Sequence, residues 1–147
     1  MSTRSYICKE LRTTKDTGMV LGIYCHFDGY EEHNGRILLE YYSSREKVNK
    51  LMKLGNLSML AEKLEPEEGK PHNFGDWQWD VCLAYGRDRG EKGQSAKRIS
   101  LNELLHDSWI EYVYLYTLDN EWKLAVLNSN GEIMLTPITP VYPDNLL

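Results

Sequence analysis

A chain of 147 residues, 41% apolar and carrying four Trp, ten Tyr and two Phe, has the size and composition of one folded domain with its own core. A formal charge of −5 argues against a non-specific nucleic-acid binder, which needs a basic face. No run of about 18 apolar residues exists, which excludes a membrane-spanning helix, and Cys8, Cys25 and Cys82, odd in number and without a CxxC, point to a reducing compartment rather than a disulfide framework.

The first residues lead without a signal-peptide apolar region into a short strand, Tyr6 to Leu11. The turn-rich Thr13–Gly18 follows, then a stronger strand from Met19 to Phe27. Met19, Leu21, Ile23, Cys25 and Phe27 share one face of it; Val20, Gly22, Tyr24 and His26 share the other. The two strands are expected to pair as a hairpin. From Glu31 to Tyr42 the apolar period becomes helical, through Ile37, Leu38, Tyr41 and Tyr42. Asp28 with Glu31 has capping-box form, and Asn34 competes as the N-cap. Ser43-Ser44-Arg45-Glu46 is a second capping box, opening a helix with Val48, Leu51 and Met52 on its stripe and Gly55 at its stop. A short helical turn is expected from Ser58 to Leu64, and Glu65–Pro71 is a loop.

Further on, Trp77, Trp79, Val81, Leu83 and Tyr85 alternate with polar or small residues and predict a strand. Gly86 to Lys97 is poor in apolar residues and predicts a mobile connection or a hairpin with a disordered tip. Ser100–Glu103 caps a short helix reaching His106. Trp109 to Leu118 is apolar or aromatic on both faces, as a central strand must be. Trp122–Leu127 returns as its hairpin partner, and Glu132–Leu135 makes an edge strand. Pro137, Pro140 and Pro143 end regular structure, leaving a tail expected to wrap the surface. The expected architecture is a single α+β domain, 1–147, with an antiparallel or mixed sheet of five to six strands and two to three helices on one face.

Three groups of residues carry candidate chemistry. His26, Asp28 and His33 combine imidazole and carboxylate in one turn, a set suited to an oriented base or to a transition metal. No HExxH and no zinc spacing accompanies them, so no metal or cofactor is expected, and helix capping by Asp28 is the simpler account. Cys25 cannot pair with His26, because adjacent strand residues point to opposite faces. Tyr85-Gly86-Arg87-Asp88-Arg89-Gly90-Glu91 puts an aromatic beside two arginines on a glycine-rich turn. Tyr85 would stack on a base while Arg87 and Arg89 fork a phosphate, although neither GxxxxGK[ST] nor GxGxxG occurs. Last, Trp77, Trp79, Tyr112, Tyr114, Tyr116 and Trp122 form either core or a stacking face for bases or a protein partner.

The blocks Gly22-Ile23-Tyr24-Cys25-His26-Phe27-Asp28-Gly29-Tyr30, Gly55-Asn56-Leu57-Ser58 and Ala84-Tyr85-Gly86-Arg87-Asp88-Arg89-Gly90-Glu91 resemble those of a family of small uncharacterised bacteriophage and prophage proteins. In that family a YCHxDGY block precedes a helix and a G-[DN]-L-S turn, and an AYxRDRGE block comes later. The resemblance covers about residues 20 to 91 and brings no established activity. It implies a phage accessory protein working in the host bacterial cytoplasm, of a kind that often counters host defence by binding an immune effector or sequestering a nucleotide signal.

The expected site brings the Tyr24–Tyr30 turn beside the Tyr85–Glu91 loop. Its ligand-binding residues are Tyr24, His26, Asp28, Tyr30, Tyr85, Arg87 and Arg89, and its partner is a host immune protein or a small nucleotide signal. The competing expectations are a phosphodiester hydrolase using His26 and Asp28, and a protein-directed inhibitor or homodimer using an aromatic sheet face.

Overall fold

The structure, a computed structural model, describes residues 2–140. Its strands are β1 (Ser5–Glu10), β2 (Met19–Cys25), β3 (Leu57–Met59), β4 (Leu83–Ala84), β5 (Lys97–Ser100), β6 (Tyr112–Tyr116), β7 (Trp122–Leu127) and β8 (Ile133–Thr136). They form one mixed sheet in the order β4-β3-β2-β1-β6-β7-β8, with β5 also on β2. The helices are α1 (Thr14–Thr17), α2 (Arg36–Tyr41), α3 (Arg45–Leu54), α4 (Tyr85–Arg89) and α5 (Leu101–His106), and a π-helical turn at Glu31–Gly35 runs into α2. The α+β class is as expected; the sheet is larger by β3, in a stretch expected to turn helical, and by β5, at the end of a connection too poor in apolar residues to show a period.

The hairpin forms as its alternation predicts, antiparallel from Ser5↔Cys25 to Glu10↔Val20. β1 also pairs in parallel with β6, which makes the sheet mixed, and β6, β7 and β8 form an antiparallel meander. Alternation on β1 and β6 builds two cores. Ile7, Ile23, Cys25, Tyr114 and Tyr116 face α2 and α3, meeting Ile37, Leu38, Val48, Leu51 and Met52. Cys8, Val20, Val113, Leu115 and Ala125 face the other way and pack on Leu101 and Leu104 of α5. Helices therefore cover both faces, not one: central strands apolar on both sides need cover on both.

Three local expectations change. The run from Trp77 to Tyr85 is a strand only at Leu83–Ala84, because along the rest it meets another segment only in an isolated bridge, Lys63↔Val81; Trp77 is 45% and Trp79 78% exposed. The stretch Ser58–Leu64 forms no helix, since Leu57–Met59 pairs with β2 and β4 instead. The supposedly mobile stretch after Tyr85 begins as α4, whose Asp88 carboxylate accepts the Ala84 N–H at 2.8 Å and whose end is closed by left-handed Gly90. Ser100 caps α5 as expected, accepting the Glu103 N–H at 3.2 Å; the cap of α3 falls one residue later than the Ser43–Glu46 box predicts, with Ser44 accepting the Lys47 N–H at 3.2 Å. Of the proline-rich tail, Ile138 packs in the larger core and Thr139 donates its N–H to Glu31 at 2.7 Å, while Pro143 lies outside the described residues.

One edge of β2 is shared end to end. β5 pairs Met19–Gly22 and β3 meets Cys25, leaving a gap at Ile23–Tyr24. Asn56 fills it. Its Oδ1 accepts the Tyr24 N–H at 2.9 Å, its carbonyl accepts the Tyr85 N–H at 3.2 Å, and its own N–H and Nδ2 donate to Gln94. Gly55, at φ +82°, brings Asn56 to that place, and a Cβ there would collide with the Gln94 carbonyl.

Candidate functional site

β2 leaves its ladder at Cys25 but stays beside β3: His26 N–H donates to Leu57 O and Phe27 N–H to Ser58 O, both at 3.0 Å. The chain then reverses through Asp28, left-handed at φ +58°. Gly29 follows, against the N-terminal strand. Its N–H donates to Thr3 O at 2.8 Å and its carbonyl accepts the buried Tyr114 hydroxyl at 2.6 Å. A Cβ on Gly29 would lie 2.7 Å from Thr3 O, so backbone contact demands glycine. Asn34, fully buried, ties the turn from beneath by donating Nδ2 to Ser5 Oγ at 3.3 Å and to Cys25 Sγ at 3.4 Å.

The side chains expected to do chemistry are committed elsewhere. Neither Asp28 nor Asn34 caps the helix: Tyr30 is the N-cap, without a side-chain capping bond, and the Asp28 carboxylate accepts the Tyr30 hydroxyl at 3.2 Å. Tyr24 Oη and His26 Nδ1 are 2.7 Å apart. Burial, and then the nearby Arg4 charge, hold the His26 imidazole below its ordinary pKa; burial pushes the Tyr24 phenol up. His33 Nδ1 meets its neighbour Asn34 Oδ1 at 2.8 Å. Among the described residues no three His, Cys, Asp or Glu side chains stand together as a metal would require. The Cys25 thiol is fully buried and pushed up to about 12 by burial, which removes it as a nucleophile.

The two arginines part company. Arg87 donates Nη1 to Leu64 O at 2.6 Å and Nη2 to Cys82 O at 2.7 Å, and its Nε pairs with Asp88 at 2.8 Å. It is a staple between α4 and the segment before β4, and its fork is spent on the protein itself. His72 completes this knot. Its Nδ1 accepts the Gln78 N–H at 3.0 Å, so Nε2 carries the proton donated to Cys82 O at 2.9 Å. Arg89 lies instead over two rings, 4.5 Å from the Phe74 centroid and 4.9 Å from that of Tyr85, and donates Nε to Glu91 at 2.7 Å.

Turn and helix do meet, across β3. Tyr24 and Tyr85 both anchor on Asn56 through their backbone N–H groups. Beside them opens an apolar cleft of about 400 Å³, lined by Phe27, Asp28, Ser58, Met59, Phe74, Trp77 and Leu83. Phe74 is held there by its own turn, where Asn73 Oδ1 accepts the Gly75 and Asp76 N–H groups at 2.8 and 2.9 Å. Of the expected ligand-binding residues only Asp28 lines this cleft directly. Tyr85 and Arg89 back its Phe74 wall, His26 meets Phe27 edge-on and bonds Tyr24, Tyr30 bonds Asp28, and Arg87 faces other partners. Sequence reasoning missed Ser58, Met59, Phe74 and Leu83 as lining residues. The available signal was Phe74, an aromatic set among the turn-formers Asn73, Gly75 and Asp76.

No protein-family model, curated protein or solved structure matches the chain.

Proposed function

We propose that this is a non-enzymatic binding protein, a phage-type accessory factor that engages a host defence effector through the cleft at the β2 exit. The observation that carries the proposal is the lining of that cleft. Phe27, Met59, Phe74, Trp77 and Leu83 give an apolar floor, and Asp28 is its one charged member. Such a lining suits an aromatic or aliphatic side chain flanked by a basic residue on a partner protein. A phosphate finds a carboxylate there, while Arg87 is stapled to carbonyls and Arg89 is paired with Glu91. Phage origin and host effector come from the resemblance of the turn and α4 blocks, and they belong to the proposal. No helix among the described residues is long and apolar enough to cross a membrane, which agrees with a partner met off the bilayer.

The test compares the parent with Met59→Arg and Trp77→Ser in bacterial lysate, alongside a thermal-shift screen with cyclic and linear nucleotides. A host protein retained by the parent and lost by both variants supports the proposal. A nucleotide that raises Tm and is recovered intact replaces it with signal sequestration through Arg89. A nucleotide recovered cleaved replaces it with a hydrolase.

A further inference from the structure

Edge strands are templates for pairing, and proteins usually block them. Two edges here are blocked. β4 is two residues long, and the Ala84 N–H is taken by Asp88. The outer side of β5 begins with exposed Lys97 and Arg98. β8 has no such device. Its four ladder pairs with β7 run without a bulge, it holds no proline or lysine, and Ile133, Met134 and Leu135 are 40%, 44% and 45% exposed. After Thr136 the chain turns back toward Gly35 and Glu31, leaving the outer side of β8 uncovered by any described residue.

The direction of the free hydrogen-bonding groups follows from register. Asn128 N–H donates to Glu132 O, so Glu132 points its backbone at β7. In an antiparallel ladder the direction alternates, so Met134 and Thr136 also face β7, whereas Ile133 and Leu135 turn N–H and C=O outward. These groups are complementary to themselves. If two copies approach about a two-fold axis through Met134, Ile133 of one copy opposes Leu135 of the other in a hydrogen-bonded pair, and Met134 meets Met134. Glu132 then opposes Thr136, so no like charges face each other.

We infer that β8 is a homodimerisation strand, joining two copies antiparallel about Met134 into one continuous sheet. A strand this short buries less than a stable interface of about 1,600 Å², so the dimer dissociates on dilution. It is independent of the cleft, which lies by β3 and β4 at the far end of the sheet order.

The experiment is light scattering on the purified chain from micromolar to millimolar concentration. The expected mass rises from 17.1 kDa to twice that value. Met134→Lys and Met134→Glu, each with parental circular dichroism, are each monomeric, because like charges meet on the axis. Mixed in equal amounts they dimerise again. Met134→Cys crosslinks on mild oxidation, since Cβ atoms in such a pair sit about 4.5–5.5 Å apart, near disulfide reach; the native cysteines are all buried. A parent that stays at 17.1 kDa throughout overturns the inference and leaves the edge to a foreign strand. A dimer unaffected by Met134→Lys, or charge variants that fail to rescue each other, overturns the register.

Discussion

Tyr114→Phe removes one oxygen and tests what holds the candidate site in shape. Tyr114 is fully buried on β6, and its hydroxyl donates to Gly29 O at 2.6 Å, linking a central strand to the turn after β2. The same burial raises its phenol pKa, so the group stays a donor across the working pH range. The Phe variant keeps the ring and its packing but leaves the Gly29 carbonyl without that donor. An acceptor orphaned in this way costs about 1–3 kcal/mol. Unfolding entropy for a chain of this length is about 0.3 kcal/mol/K, so Tm falls by about 3–10 °C. Calorimetry measures the fall, and amide exchange at Gly29 and Asn34, whose N–H groups donate to Thr3 O, Asp28 O and Tyr30 O, should accelerate with it. A Tm within about 1 °C of the parent, with exchange at both amides unchanged, would show that the hydroxyl does not fix the turn.

Arg87→Ala should cost about 2–4 kcal/mol in urea unfolding, because it takes the paired cation from the 4%-exposed Asp88 and frees two carbonyls; the quarter of Arg87 left in water, and the Ala84 N–H that Asp88 keeps, hold the cost below that of a fully buried pair. If Arg87 were instead an anion ligand, the variant would keep its stability and lose phosphate binding. All three thiols should resist a thiol reagent in the native protein at pH 8 and react on unfolding, as Cys8, Cys25 and Cys82 are buried and their pKa values raised. His26 has a folded pKa below the ordinary 6.5, so the unfolded chain binds more protons and stability rises with pH. Stability is therefore lost as pH falls from 6.5 through the folded value, and His26→Gln should flatten that part of the profile.

Where two faces of a strand differ in chemistry, the sequence is legible. Ile7 against Cys8, Ile23 against Val20, and Tyr114 against Val113 fall on the sides that alternation assigns them. The Trp77–Tyr85 run shows the limit of that signal. It alternates as well as β2 does, but before β4 a local knot of Gln78 and His72 bonds and a single bridge to Lys63 organise it instead of a continuous neighbouring strand. α4 was hidden for the opposite reason. A five-residue helix containing glycine has no period to read, and it depends on contacts of Asp88 and Arg87 with Ala84, Cys82 and Leu64. The Tyr24–Tyr30 turn was visible as a polar cluster, but its polar groups mostly bond one another. The apolar cleft is assembled from four separate segments, and no local pattern announces such a meeting.

The parallel pairing of β1 with β6 sets the timing of folding. Ser5 must find Tyr112, and Lys9 must find Tyr116, across most of the chain. The β1–β2 hairpin closes early, yet the outer side of β1 waits unpaired until the second half has left the ribosome. At about 5–20 residues per second that wait is on the order of 5–20 s. Through that interval Ile7 and Cys8 lack the cover that Tyr114 and Val113 later supply. The nascent chain is most vulnerable to aggregation then, and mutations that weaken the hairpin should lower yield in the cell more than they lower the melting temperature of the finished protein.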